Sequence, residues 1–339
     1  MQVDRWSLLA LLRFALAAIV ATNHLGDGIL VGRFGAFEAV LGFLAISGYS
    51  VAVSQARQPE GFLRRRIARV YPAYLACLAL AVLVTTFVDH QPLPGIAEIA
   101  ANLAMLNQAV TTTSILGPAW SLALECWFYA MLPWLAAQPA RRVRLMAWLS
   151  FASFATYTVG RTAWQLPYYA GVGFGANALL LAFPWFAGSL LARGGRERTS
   201  ALRDLRWMFG GHIVLDALIQ FAHRMKHHEA ARFAVDDLPG FCLQALTLWV
   251  VVHCFVRVSA PTTEPRRRSR WMNALGDWSY PLYLVHLPVF AIAQKMGIGS
   301  PAAMFCLALS AALVVHQVVE RPWRRREPVV APGSLAGSA

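Results

Sequence analysis

Long apolar runs alternate with short polar connections along almost the whole chain. A helix needs roughly 17 to 25 apolar residues to cross the hydrocarbon core of a bilayer, so this pattern predicts an all-α, polytopic membrane helix bundle. We expect about ten transmembrane helices, at Ser7–Leu25, Phe34–Ser54, Val70–Val88, Gly117–Ala136, Leu145–Gly160, Val172–Ala192, Trp207–Ala222, Pro239–Val256, Ala274–Gln294 and Pro301–Val319. An even number of spans places both termini on the same side of the membrane.

Two segments fit this pattern less well. The seventh predicted span is weakened by two glycines, a histidine and an aspartate between Gly210 and Asp216. A further apolar run, Ile96–Val110, is short and carries one glutamate and three side-chain amides. We interpret this run as an interfacial or re-entrant helix rather than as an eleventh span.

Composition and charge agree with a membrane protein. The chain is 58% apolar and only 14% charged, which argues against a water-soluble enzyme. Its net charge of +13 would suit a nucleic-acid partner, but the basic residues punctuate the spans instead of forming one stripe. With ten spans, 23 of the 30 basic residues fall on one side, so the positive-inside rule predicts cytoplasmic N- and C-termini.

The chain is expected to form one membrane domain, residues 1–326, followed by a disordered tail, residues 327–339, rich in Pro, Gly and Ser. The number of cysteines is odd and no Cys-x-x-Cys pair occurs, so neither a disulfide framework nor a metal site is expected. All five cysteines lie in predicted spans: Cys77, Cys126, Cys242, Cys254 and Cys306.

Three ionisable side chains lie where a bilayer disfavours them. A charge at bilayer depth costs at least about 2.5 to 3.5 kcal/mol, so each is a functional hypothesis. Arg13 and His24 project from one face of the first span. Glu125 lies about two turns into the fourth span, on the same face as Ser121, and needs His24 or Arg13 as a partner.

Two further helix faces carry candidate chemistry. Arg66 and Arg69 are i,i+3 neighbours where the third span enters the bilayer, a geometry suited to binding phosphate. Ser279, Tyr283 and His286 form a polar stripe on the ninth span. Internal hydrogen bonds and a functional role explain such a stripe equally well.

Six short motifs, spread from residue 13 to residue 322 in a fixed order, resemble those of the membrane acyltransferase-3 family. They are Arg13 and His24 with Ala17 and Val20 between them, the segment Gly42–Tyr49, Arg66-x-x-Arg69 with Tyr71-Pro72, Trp120-Ser121-Leu122-x-x-Glu125 with Phe128-Tyr129, Ser279-Tyr280-x-x-Tyr283-Leu284-x-His286, and Glu320-Arg321-Pro322.

The resemblance implies a multi-pass O-acyltransferase of the bacterial inner membrane. Such enzymes move acetyl from acetyl-CoA to a sugar hydroxyl of an envelope glycan or exopolysaccharide. The implied partners are an acyl-CoA donor, a glycan or lipid-linked sugar acceptor and the bilayer. In the family, the residues that match Arg13, His24, Arg66 and Arg69 are treated as functional. The acceptor, the choice between acetyl and succinyl, and the oligomeric state stay open.

Acyl transfer from a thioester needs a base, a group that orients the base, and a positive group near the developing oxyanion. Our hypothesis makes His24 the general base and Glu125 its orienting group. Arg13 acts on the oxyanion or the thioester carbonyl. Arg66 and Arg69 hold the phosphates of CoA at the cytoplasmic mouth.

CoA is cytosolic, whereas His24 and Glu125 are both expected in the outer half of the membrane. Either the pantetheine arm therefore reaches inward or the acyl group is relayed. Ser121, Tyr283 and His286 are expected to contact substrate or line this passage. The main alternative is a proton-coupled transporter of an anionic small molecule. The lack of a second half that echoes the first disfavours it.

Overall fold

Every regular element in the described residues is helical. The computed structural model describes residues 4–26, 33–259 and 268–326. Its helices are α1 Arg5–Asn23, α2 Ala36–Arg57, α3 Phe62–Leu83 with a π turn Val84–Val88, α4 Ile96–Leu103, α5 Ala119–Ala136, α6 Ala140–Trp164, α7 Ala176–Leu191, α8 Gly195–Lys226, α9 Ala230–Arg232 with a π turn Phe233–Asp237, α10 Leu238–Ser259, α11 Arg270–Lys295, α12 Pro301–Val315 with a π turn His316–Glu320, and α13 Arg321–Arg326. The predicted tail, 327–339, lies outside these residues.

Each of the ten predicted spans coincides with one helix of the set α1–α3, α5–α8 and α10–α12. The all-α membrane architecture is therefore confirmed. Five helical segments are both long and apolar enough to cross a bilayer by themselves: Arg5–Asn23, Ala36–Arg57, Phe62–Val88, Ala230–Ser259 and Pro301–Trp323. The count of ten spans and the orientation of the termini stay predictions.

The short apolar run after α3 forms only the eight-residue helix α4. At 1.5 Å per residue, α4 is about 12 Å long, well short of the hydrocarbon core. Asn102 fastens the segment to the bundle: its Nδ2 donates to Thr113 O at 3.1 Å, and its Oδ1 accepts from Ile115 N at 3.1 Å. Tyr74 OH donates to Asn102 O at 2.8 Å. The amides of this run thus serve internal hydrogen bonds.

The weak seventh span forms part of the long helix α8, and its histidine faces the protein interior. His212 is fully buried. Its Nε2 lies 3.1 Å from Glu38 Oε1 on α2, and its Nδ1 lies 3.5 Å from Asp216 Oδ2. Among the described residues, these three are spaced as metal ligands would be. The His212–Glu38 contact explains a histidine here by joining α2 to α8.

Glycines bring α2 and α7 into close backbone contact at the centre of the bundle. A Cβ at Gly48 would lie 2.1 Å from the carbonyl oxygen of Trp185, and one at Gly188 would lie 2.1 Å from that of Ala45. Any larger residue would force the two helices apart. Small residues commonly permit this close packing between membrane helices, and here they fix α2 beside the functional site.

Candidate active site

A cavity of about 130 Å³, called here the inner cavity, lies between α1, α2, α3, α5 and α11. Gly276 of α11 lets α1 approach closely, since a Cβ at this glycine would lie 2.4 Å from that of Ala10. Six of the eight predicted site residues line the inner cavity: Arg13, Arg66, Arg69, Ser121, Glu125 and Tyr283. Residues from four helices therefore converge on this cavity, and Glu125 lies with Arg66 and Arg69 rather than with His24, where it was expected.

A second cavity, of about 600 Å³, adjoins the inner cavity and shares Arg13, Arg66 and Arg69 with it. We call it the arginine mouth. Its charged lining residues are Arg13, Arg57, Arg66, Arg69, Arg268 and Asp277. Five guanidinium groups against one carboxylate make this opening strongly positive, and planar guanidinium groups match phosphate oxygens well.

Arg13 and Glu125 bring opposite charges to the inner cavity, each held by a neighbouring hydroxyl. Arg13 Nη2 donates a hydrogen bond to Ser50 Oγ at 2.8 Å. Tyr129 OH donates one to Glu125 Oε2 at 2.5 Å. Of the two partners expected for Glu125, Arg13 shares its cavity, whereas the hydrogen bonds of His24 go to other groups. The expected contact between Glu125 and His24 is therefore absent.

Ser121 and Tyr283 close one side of the inner cavity. Their hydroxyl oxygens lie 2.6 Å apart, and Tyr283 OH lies 3.0 Å from Pro118 O. The ring of Phe43 meets the Tyr283 ring edge-on at 5.5 Å. The Tyr283 ring is also 6.4 Å from that of His286. Tyr283 thus lines the inner cavity and lies close to a histidine outside it.

His24 and His286 form a pair close to Tyr283. His286 is fully buried, whereas His24, at the end of α1, is exposed. His286 Nε2 lies 3.2 Å from His24 Nδ1, and their ring centroids are 5.1 Å apart. His24 Nδ1 also lies 2.8 Å from Val20 O, and His286 Nδ1 lies 3.1 Å from Leu282 O.

These contacts select one neutral tautomer for each ring. A backbone carbonyl only accepts, so Val20 O and Leu282 O require an N–H at Nδ1 of His24 and of His286 respectively. His286 Nε2 then has a lone pair and accepts from His24 Nδ1–H. The assignment leaves His24 Nε2 unprotonated and free to take a proton. His286 thus orients the His24 ring, the role that our hypothesis from the sequence gave to Glu125.

The helix α1 separates the two ends of the site. Arg13 and His24 are eleven residues apart in one uninterrupted helix, which is about 16 Å along its axis. Arg13 lies with Arg66 and Arg69 at the cavities, and His24 lies with His286. This geometry therefore favours separate roles for Arg13 at one end of the site and His24 at the other.

Two supporting side chains were not among the predicted site residues. Tyr129 follows Glu125 by four residues, so helical spacing alone could have identified it. Ser50 binds Arg13 across the packing of α1 against α2, and no local pattern in the sequence indicates that contact.

Two comparisons with known proteins point to acyltransferases. The sequence profile of a family described as an acyltransferase domain matches residues 6–321. The acyltransferase MdmB of Streptomyces mycarofaciens is 25% identical over 344 residues, covering 89% of this chain and 85% of that protein. No solved structure matches.

Proposed function

Since the chain belongs to the membrane acyltransferase-3 family, we propose that it is an O-acyltransferase that moves acetyl from acetyl-CoA to a sugar hydroxyl of a cell-envelope glycan or exopolysaccharide. The family match confirms the resemblance that the motifs suggested. We further propose that it works as a multi-pass protein of the bacterial cytoplasmic membrane. The observation that carries the proposal is the arginine mouth joined to the inner cavity, whose lining residue Tyr283 lies beside the pair His24–His286.

The donor binds from the arginine mouth. The phosphates of CoA match its arginines, with Arg66 and Arg69 at the passage into the inner cavity. The uncharged pantetheine arm follows into the inner cavity and carries the thioester toward Ser121 and Tyr283. Glu125 keeps Arg13 in place as a counter-charge beside this arm.

The base acts from the opposite end. His24 Nε2 removes the proton of the acceptor hydroxyl as that oxygen attacks the thioester carbon. The new imidazolium keeps its Nδ1–H hydrogen bonds to Val20 O and His286 Nε2. Collapse of the tetrahedral intermediate breaks the C–S bond, and the CoA thiolate leaves and recovers the proton.

The hydroxyl pair Ser121–Tyr283 lies where donor and base must meet. When these O–H groups turn away from Pro118 O and from each other, they can donate hydrogen bonds to the oxyanion of the intermediate. Arg13 acts on the donor side, at the thioester arm, because it lies a long way along α1 from His24. For transfer, the Tyr283 side chain must move enough to let the thioester reach His24.

Mass spectrometry of surface glycans tests this proposal. Glycans are compared between cells with the intact gene, cells lacking it and cells with His24→Ala at the same membrane level. We expect one acetyl group, lost equally in the last two strains. Identical glycan masses in all three strains under expressing conditions would refute the proposed acceptor class.

A further inference from the structure

Glu38 of α2 and His212 and Asp216 of α8 form a carboxylate–histidine cluster that joins the two helices. Asp216 follows His212 by four residues, so both project from one face of α8. The side chain of His212 is fully buried and that of Glu38 is 5% exposed, whereas that of Asp216 is 33% exposed. One possible ligand atom from each residue lies within 4.8 Å of the other two. The cluster is apart from the inner cavity and the arginine mouth, whose described lining residues do not include it.

The two ring nitrogens of His212 have different surroundings. Nε2 lies 3.1 Å from Glu38 Oε1, at hydrogen-bond distance. An ionised carboxylate only accepts, so Nε2 carries the N–H and the neutral ring has its lone pair at Nδ1. Nδ1 has no hydrogen-bond partner among the described residues, although it is buried and lies 3.5 Å from Asp216 Oδ2. A lone pair and a carboxylate oxygen face each other there, which is favourable only with a positive group between them.

The distance from His212 Nδ1 to Asp216 Oδ2 favours a metal ion over a second ring proton. A charged N–H···O⁻ hydrogen bond is normally about 2.7 to 2.9 Å long, well below the 3.5 Å found here. Zinc binds histidine nitrogen and carboxylate oxygen at roughly 2.0 to 2.2 Å, so two such ligands at a tetrahedral angle are about 3.4 Å apart. Histidines that bind a metal usually donate their other ring N–H to a carboxylate, and Glu38 occupies that position.

The charges of the cluster also suit a cation. Its two carboxylates are negative, and Arg161 supplies a positive charge that interacts with Asp216. The Arg161 guanidinium carbon also lies 5.7 and 5.6 Å from the centroids of the Tyr168 and Tyr169 rings. With a neutral imidazole, Arg161 and the two carboxylates keep one net negative charge. Buried charges in proteins are usually paired or bound to metal ions.

We propose that the carboxylate–histidine cluster binds a divalent ion of the zinc class and thereby ties α2 to α8. His212 Nδ1 and Asp216 Oδ2 are the direct ligands, and Glu38 orients the ring through its Nε2–H. The exposed part of Asp216 gives the ion a route from the protein surface, and water completes its coordination. Imidazole nitrogen is a ligand for zinc rather than for magnesium. Because the ion binds the folded chain, zinc should raise the Tm.

Zinc binding by the purified full chain in detergent tests this site, with the Tm and the zinc affinity as readouts. Every chain carries His223→Ala, because the His223 and His227 rings lie one turn apart on α8, with centroids at 4.6 Å, and offer zinc a second site. In this parent chain, Zn²⁺ should raise the Tm, and Mg²⁺ at the same concentration should not. No rise with Zn²⁺, or an equal rise with Mg²⁺, would overturn the proposal.

Two variants locate the ion. Asp216→Asn should lower the zinc affinity at least ten-fold because it removes a charged ligand. Glu38→Gln should lower it about ten-fold, the smaller effect expected for an outer carboxylate, since its amide oxygen still accepts from His212 Nε2–H. Asp236→Asn is the matched control, an exposed aspartate outside the cluster, and should bind zinc like the parent chain.

Equal zinc affinity in Asp216→Asn and the parent chain would also overturn the proposal, and would indicate that a protonated His212 joins the two carboxylates instead. The partial exposure of Asp216 makes Asp216→Asn the variant expected to keep its fold. Its Tm in the presence of a chelator checks this. If either variant fails to fold, the comparison of Zn²⁺ with Mg²⁺ in the parent chain still decides.

Discussion

Removing His286 tests whether the histidine pair works as a unit. In His286→Ala, the imidazolium formed on His24 during transfer loses one of its two acceptors, while Val20 O still accepts the same N–H. A hydrogen bond to a charged group contributes about 1.5 to 3 kcal/mol. At 1.36 kcal/mol per factor of ten, the full range is roughly ten- to 150-fold in rate. Because Val20 O remains, we expect about a ten-fold lower kcat.

The assay measures transfer from radiolabelled acetyl-CoA in membranes with equal amounts of folded protein. The KM for acetyl-CoA should not change, because His286 does not line either donor cavity. His286→Gln should recover part of the rate, since its amide oxygen can accept from His24 Nδ1–H. His223→Ala, which removes an exposed histidine at the far end of α8, serves as the control. An unchanged kcat in folded His286→Ala, or a raised KM with equal loss in Ala and Gln, would refute the orienting role.

Three other predictions concern the donor side and the bundle. Arg66→Gln and Arg69→Gln should each raise the KM for acetyl-CoA about ten-fold or more in the same assay, because each variant loses a charged hydrogen bond to phosphate. An unchanged KM in both variants would mean that CoA binds elsewhere. Gly48→Ala should lower the Tm or prevent folding, since its Cβ would lie 2.1 Å from a backbone carbonyl oxygen. The control Gly240→Ala has open space around it and should melt at the same temperature as the unaltered chain. Equal melting temperatures for the two variants would contradict the close α2–α7 contact. Glu125→Gln should lower the Tm by several degrees because it leaves buried positive charge without its counter-charge, and a Tm equal to that of the unaltered chain would exclude this role.

The positions of the helices could be predicted from the sequence because the bilayer imposes one length scale on every span. Glu125, expected at the depth of His24, instead shares the inner cavity with Arg66 and Arg69. The placement of Arg66 and Arg69 on one helix face, in contrast, could be predicted from their i,i+3 spacing. Both predictions rest on local properties of single helices and on the rule that isolated charges avoid lipid.

The contact between His24 and His286 could not be predicted in the same way. The two residues are 262 positions apart and meet because α1 packs closely on α11 at Gly276. No local pattern favours that pairing over the one with Glu125, which was expected at the same depth as His24. Which side chain reaches the base depends on the rotation of each helix, and that is set by packing.

A transfer assay with purified protein in liposomes tests the central claim most directly. Radiolabelled acetyl-CoA is added with a glycan extract from the same cells, and alkali-labile label in the glycan fraction is measured together with released CoA thiol. We predict equal amounts of label and free thiol, and loss of both in folded His24→Ala that still binds acetyl-CoA. Binding of acetyl-CoA without any transfer by the unaltered protein, or transfer at full rate by His24→Ala, would contradict the account.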